Sequence, residues 1–235
     1  MGTADHLPQR WRTRPGEAHD AATLAAVLDT PPIAPRSDGL AIIARIGSRQ
    51  VLPFLVAAKS LHRPLDRGRI VILDDGSLTG ADRTILACHC GDPEILRPDA
   101  VALGGFPSGA GWEPLLAAFD RRRGEYAVVL DPLAVATGPM PQVADALGAN
   151  RSLVAGAALT GFAAGGPGRP DAAALFAALG APGASASVAL DLLMARETAP
   201  VALAEAEGLA HFGSRSAAAH AEASRQAIAE LGRAG

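Results

Sequence analysis

Three aspartates in this chain stand directly behind apolar runs, and any chemistry is to be sought there. "GRIVILDDGS" (68–77) runs four apolar residues into Asp74 and Asp75, followed by Gly76 and Ser77. "YAVVLDP" (126–132) ends in the same way, at Asp131. A carboxylate so placed accepts hydrogen bonds from a ligand's hydroxyl or N–H groups. It also suits a divalent cation that neutralises phosphate. Asp-Asp-Gly-Ser is equally a good turn, because Asp and Ser side chains bond local N–H groups and Gly supplies a positive φ. Adjacent residues of a strand point to opposite faces. Asp74 and Asp75 are therefore expected to divide the work, one facing a ligand and the other capping the turn.

For these acids to meet, the runs ahead of them must lie side by side. "LAIIARI" (40–46), "RIVIL" (69–73), "EIL" (94–96) and "YAVVL" (126–130) read as strands, and a continuous β-branched run marks a strand buried on both faces. Between them lie helical patterns. In 48–62, Val51, Leu55, Ala58 and Leu61 share a face, with Pro53 near the first turn. Thr79 and Asp82 open a helix over 80–89 in the manner of a capping box. A helix over 111–123 would bury Trp112, Leu115, Leu116 and Phe119 and stop at Gly124. Apolar run, acid or glycine, then helix, repeated, predicts an α/β fold with a mostly parallel sheet. Ligands of such sheets sit beyond the carboxyl ends of the strands, which is where Asp74, Asp75 and Asp131 fall.

The rest of the chain is less regular. A helix behind prolines is expected over 139–149, a strand over 152–162, a loop over 165–170, helices over 171–179 and 188–196, and an Ala-rich amphipathic helix over 216–231. Residues 17–30 read as a short helix stopped by Pro31 and Pro32. The expected division is an N-terminal arm and short helix, 1–38, followed by one α/β domain, 39–235. "DRRRG" (120–124) reads as a solvated helix C-terminus whose cations complement the dipole.

Bulk properties narrow the classes. The 235 residues are 49% apolar, enough for one sizeable core. Aromatics are only 4%, so that core must be built from Ala, Val, Leu and Ile. A net charge of −3 argues against a sequence-independent nucleic-acid binder. Cys88 and Cys90, with His89 between them, make a poor half-site for tetrahedral zinc, and no second Cys or His pair follows. They read as reduced thiols. There is no apolar signal core, and no apolar segment reaches the roughly 20 residues of a membrane span, so a soluble, cytoplasmic protein is expected. "RIGSRQ", after the first strand, has one glycine where a dinucleotide fingerprint needs three.

The ordered motifs resemble a known family. "IVILDDGSLTGAD", preceded by a strand and a helix ending "AAKSL", resembles the first half of the nucleotide-diphospho-sugar transferase (GT-A) fold. That family has a strand, a helix closing on Ser-Leu, and a strand ending in Asp-Asp-Gly-Ser. Residues 111–143 look like its helix leading to the strand of the Asp-X-Asp motif, usually Leu-Asp-Ser-Asp, an apolar stretch, then Gly-Pro-Leu-Pro. "AHFGS" (210–214) resembles the His-containing segment that in several such enzymes contacts the metal or diphosphate. The resemblance covers residues 40 to about 214. It implies a three-layer α/β/α fold and a glycosyltransferase moving a sugar from a nucleoside-diphosphate sugar to an acceptor that the sequence does not name. Asp74 or Asp75 would contact the nucleoside, Asp131 the ribose or a metal, and His211 the metal or diphosphate side.

One position departs from the pattern. Asp131 falls on the first acid of the motif, Pro132 on the middle position and Leu133 on the second acid, and leucine does not coordinate Mg²⁺ or Mn²⁺. Such an ion contributes several kcal/mol as a Lewis acid on the leaving diphosphate. Three readings follow. The protein is metal-independent, with Arg45 or Arg151 holding the diphosphate; Arg45 ends the first strand, which borders the nucleotide pocket in this fold. Or Asp131 and His211 alone hold Mn²⁺ or Mg²⁺. Or the protein is a degenerate relative that binds a nucleotide or a partner protein without transfer. An inverting enzyme needs an acidic base near the acceptor. Asp191 stands where some members have one, with Glu197, Glu205 and Glu207 as competitors.

Overall fold

A computed structural model describes residues 22–203, 208–212 and 217–233. Nine strands are present among them: β1 (Leu40–Ile46), β2 (Arg69–Asp74), β3 (Glu94–Leu96), β4 (Tyr126–Leu130), β5 (Ala134–Ala136), β6 (Leu153–Ala155), β7 (Leu159–Phe162), β8 (Val201–Leu203) and β9 (Leu209–His211). Seven form one sheet in the order β3-β2-β1-β4-β7-β6-β8, while β5 and β9 pair as a separate antiparallel ribbon. β3, β2, β1 and β4 run parallel. β7 runs antiparallel to both β4 and β6, and β8 is parallel to β6. The helices are α1 (Val51–Leu65), α2 (Gly80–Cys90), α3 (Trp112–Arg121), α4 (Pro141–Gly148), α5 (Ala172–Leu179), α6 (Ala186–Met194) and α7 (Ala217–Gly232).

The sheet is covered on both faces, and strand alternation decides which residue serves which side. Ile42, Ala44, Ile46, Ile70, Ile72 and Val128 pack with Phe54, Leu55 and Leu61 of α1 and Ile228 of α7. Ala41, Ile43, Val71, Leu73 and Ala127 face the other way, onto Trp112, Leu116 and Phe119 of α3 and Leu193 of α6. This is the expected three-layer α/β/α arrangement. The Trp112 indole, fully buried, donates its N–H to the Ala184 carbonyl at 3.1 Å and so satisfies its one polar atom.

The segment ahead of β1 belongs to this core. Leu24, Val27 and Ile33 are buried in it. Lys59, the chain's only lysine, is 2% exposed. Its Nζ donates to the carbonyls of Val27 (3.2 Å) and Thr30 (3.0 Å) and to the Thr30 hydroxyl (2.9 Å). Burial lowers its pKa to about 8.

Two readings of the sequence are corrected. Residues 152–162 are not one strand but the hairpin β6–β7, turned at Gly156 (φ 51°) and closed by the Ala158 N–H on the Ala155 carbonyl. The second correction concerns "DRRRG", of which only part is solvated. Arg122 is fully buried and makes a bidentate pair with Glu197, at 2.6 Å in each arm. Its guanidinium also lies over the Phe119 and Phe162 rings. A cation can be buried here because its charge is matched and its planar faces are covered.

Candidate functional site

The Asp-Asp-Gly-Ser turn is built by its own side chains. Asp74, the last residue of β2, is 4% exposed. Its Oδ1 accepts the N–H groups of Gly76 (2.8 Å) and Leu78 (3.2 Å), and its Oδ2 pairs with Arg83 of α2. Asp75 is exposed, and its Oδ1 accepts the N–H (2.9 Å) and hydroxyl (2.6 Å) of Ser77. Both acids cap the turn; Asp74 is fully engaged in doing so, and Asp75 keeps Oδ2 for other contacts. The loop after β1 locks onto this turn through the Ser48 N–H, which donates to the Ser77 hydroxyl at 2.9 Å. Gly47 permits the approach, since a Cβ there would lie 2.2 Å from Asp75 Oδ2.

Three hollows run along the carboxyl ends of β2, β1 and β4. One, of about 520 Å³, is walled by Gly47, Ser48, Arg49, Gln50, Asp75 and Ser77. A smaller one, of about 110 Å³, includes Arg45, Asp74, Asp75, Arg97 and Glu113. The third, of about 270 Å³, includes Arg45, Gln50, Asp131, Leu133 and Thr160. Asp75 joins the first to the second, Arg45 the second to the third, and Gln50 the first to the third. They are parts of one groove.

Register explains the central place of Arg45. On one side it pairs with Leu73 of β2, next to the Asp74–Asp75 turn. On the other, the last β1–β4 pair is Ile43 with Val129, and Arg45 and Asp131 each stand two residues beyond it. Arg45 is half-buried and, among the described residues, makes no ion pair or side-chain hydrogen bond. A guanidinium positioned this way is available to an anionic ligand.

Asp131 and His211 are brought together by the β5–β9 ribbon. Ala134 pairs with His211, and the Phe212 N–H donates to the Leu133 carbonyl. His211 Nε2 then lies 3.3 Å from Asp131 Oδ1. That same oxygen accepts the Leu133 N–H at 2.8 Å, which turns the chain from β4 into β5. Two ligands side by side on an octahedral ion, with bonds of about 2.0–2.2 Å, stand roughly 3 Å apart. Asp131 and His211 are thus spaced as two neighbouring ligands of a divalent ion would be. Among the described residues no set of three His, Cys, Asp or Glu side chains converges for a metal, and Leu133 presents only carbon to the groove.

The remaining candidates lie elsewhere. Asp191 is exposed on α6 and lines none of the three hollows. Arg151 is exposed, takes no part in these walls, and serves β4 through its carbonyl, which accepts the Tyr126 hydroxyl at 2.8 Å. Glu197 is committed to Arg122 and to the Ser152 hydroxyl. Glu205, Glu207, Gly213 and Ser214 lie outside the described residues.

The sequence reading missed Glu113. It is 7% exposed in the first turn of α3. Oε1 accepts the Gly109 N–H (2.7 Å) and the Ser108 hydroxyl (3.2 Å), while Oε2 is buried without a partner. Burial opposes its charge, but the Gly109 amide, its own amide and the nearby Arg45 together hold its pKa below the ordinary value. An acid in the first turn of a helix favours the dipole, and that was the one available signal.

No protein-family model matches the sequence, and no curated protein does. The fold is similar to that of galactosyltransferase LgtC in complex with donor and acceptor sugar analogues. The match has a TM-score of 0.56 at 13% identity and covers 81% of this chain and 95% of that one. A structure of an active-site mutant of LgtC matches with a TM-score of 0.54 at 12% identity, over 78% of this chain and 94% of that one. No helix among the described residues is long and apolar enough to cross a membrane. With its mostly parallel seven-stranded sheet between two helical layers, the chain has a nucleotide-diphospho-sugar transferase (GT-A) like fold.

Proposed function

We propose that the groove binds a nucleoside-diphosphate sugar and that the protein transfers the sugar to an acceptor. The observation that carries this reading is Arg45, a guanidinium with no ion pair among the described residues, in the walls of both the hollow with the Asp75 turn and the hollow with Asp131. The Arg45 fork donates to the diphosphate and stabilises the negative charge left on it as the sugar–oxygen bond breaks. Asp75 Oδ2 accepts from the nucleoside, and Asp131, steered by the turn it caps, accepts from a ribose hydroxyl or binds a metal. A Mn²⁺ or Mg²⁺ ion, held by Asp131 and His211, would neutralise the diphosphate further. Asp191 is the acid nominated as base for an acceptor hydroxyl; it is exposed on α6, outside the walls of the three hollows, so this role requires the acceptor to extend to it.

The test is thermal unfolding with UDP, GDP and dTDP, with and without Mn²⁺, followed by an assay of donor hydrolysis. Stabilisation by a nucleotide, together with release of sugar from the matching donor, supports transfer. No shift with any nucleotide overturns the reading. Leu133 favours a second reading, a relative that binds the nucleotide without transfer. Binding with no hydrolysis and no transfer would select it.

A further inference from the structure

The charged side chains in the walls of the 110 Å³ hollow are Arg45, Asp74, Asp75, Arg97 and Glu113. Most are matched. Asp74 pairs with Arg83, Asp75 holds the amide and hydroxyl of Ser77, and Arg97, on the surface, pairs with Asp99. Arg45 and Glu113 are left over. Arg45 has no ion pair or side-chain hydrogen bond among the described residues. Glu113 Oε1 is satisfied by Ser108 and Gly109, but Oε2 is sealed under the surface without a donor and is closed to any ligand in the hollow. A buried carboxylate so poorly served stays ionised only with a cation near it. Burial opposes the Glu113 charge, yet the Gly109 amide, its own amide and Arg45 outweigh it and hold the pKa below the ordinary value. The two groups share a narrow hollow, and the charge of Glu113 reaches Arg45 with less screening by water than that of the exposed Asp75.

We infer that Glu113 is a positioning residue for Arg45, a buried counter-charge that shares the guanidinium with the ligand's diphosphate and so loosens the hold on that anion. The inference rests on the nucleotide-sugar reading above and adds to it a control on release. Arg45 also stands in the wall of the 270 Å³ hollow with Asp131. It therefore has Glu113 on one side and the bound anion on the other. An anion arriving at Arg45 competes with a carboxylate that never leaves. Glu113 touches no ligand, since its free oxygen is closed off; it acts only through the cation that the ligand uses. A transferase must shed its nucleoside diphosphate after each turnover, and release of product sets the rate of many enzymes. A site with an unopposed guanidinium would hold that product longer.

The experiment is calorimetric titration of the full chain, of Glu113→Gln and of Glu113→Asp with pyrophosphate and UDP, at low and high salt. Glu113→Gln should bind both anions at least about threefold more tightly than the unaltered protein. The gain should shrink as salt is raised, and Glu113→Asp, which keeps the charge, should not show it. A folded Glu113→Gln that binds no tighter overturns the inference, as does an equal gain in Glu113→Asp. A second measurement, by carbon NMR of the Glu113 carboxyl, needs no change at Glu113 and decides the matter if those variants do not fold. By reciprocity its pKa should rise by about 0.5 when the unaltered protein is saturated with pyrophosphate. It should also rise in ligand-free Arg45→Met. A pKa unmoved in either case overturns the inference. UDP that binds with no influence of Glu113 defeats this inference alone; absence of all binding of UDP and pyrophosphate defeats the nucleotide-sugar reading along with it.

Discussion

Asp131 Oδ1 lies 3.3 Å from His211 Nε2, across a ribbon of two three-residue strands that stands apart from the main sheet. The contact brings a residue from the middle of the chain against one near its end, at the mouth of β4. Asp131→Ala removes this contact and the acceptor of the Leu133 N–H. The fold should survive the loss of that one hydrogen bond, at a cost of about 1 kcal/mol. Nucleotide affinity should fall at least about tenfold. Calorimetric titration and urea unfolding check the two together, and unchanged affinity in a folded variant would put the pocket elsewhere.

Arg45 offers a cleaner separation of binding from stability. Among the described residues it makes no ion pair or side-chain hydrogen bond and acts on stability only through its charge near Glu113, so Arg45→Met should cost no more than about 1 kcal/mol. Affinity for a nucleoside diphosphate should drop and become less sensitive to salt, whereas affinity for the bare nucleoside should barely move. Equal losses for both ligands would show that Arg45 does not hold the diphosphate.

The Arg122–Glu197 pair is a structural element, and its loss should act on folding. Both side chains are inaccessible (0% and 2%), and the Ser152 hydroxyl adds a third bond to the carboxylate. Glu197→Ala strands a buried guanidinium and should cost about 3–5 kcal/mol in urea unfolding. Gly166→Ala should disturb the same pair, because its Cβ would fall 1.7 Å from Arg122 Nη2. A loss below about 1 kcal/mol for Glu197→Ala would mean that water reaches the pair.

Stability should depend on pH through two histidines, the buried His62 and the half-buried His89. Burial lowers the pKa of His62 and of His89 below 6.5, and His89 is lowered further by the charge of Lys59, whose Nζ lies 3.0 Å from its Nδ1. Above 6.5 the folded and unfolded forms are both neutral and stability is complete. As pH falls through that value the unfolded chain takes up protons that the folded one refuses, and stability declines until the lowered pKa is passed. The urea midpoint should therefore be lower at about pH 5.5 than at about pH 7.5, and His89→Gln should flatten the difference. A midpoint that rises on acidification would contradict this.

What the sequence disclosed, and what it hid, follows from how far apart the deciding partners lie. β1 and β4 were legible to the residue, because Leu40–Ile46 and Tyr126–Leu130 are continuous apolar runs between clear breaks. β5, β8 and β9, at three residues each, are too short to carry a period. Their existence depends on remote pairing, such as that of Ala134 with His211. The hairpin at 156–158 was missed because Gly-Ala-Ala lacks the Asn, Asp or Pro of common turns.

The site shows the same limit. The aspartates behind the strands were visible as a pattern, but nothing local reveals that Asp74 is used up by its own turn and Arg83 while Asp75 is not. Arg122 looked like its solvated neighbours because its partner, Glu197, lies 75 residues away. Glu113 was hidden among the apolar residues of α3, and its importance lies in an oxygen without a partner, which only packing defines.

The most direct measurement is a crystal structure of the protein with a nucleoside diphosphate. The account predicts density in the groove, with the diphosphate within hydrogen-bonding reach of Arg45 and one end towards Asp131. A nucleotide seated instead in the separate 440 Å³ hollow of α1, β5 and α7, walled by Ser60, Thr137 and Glu230 among others, or anywhere its phosphates miss Arg45, would contradict it.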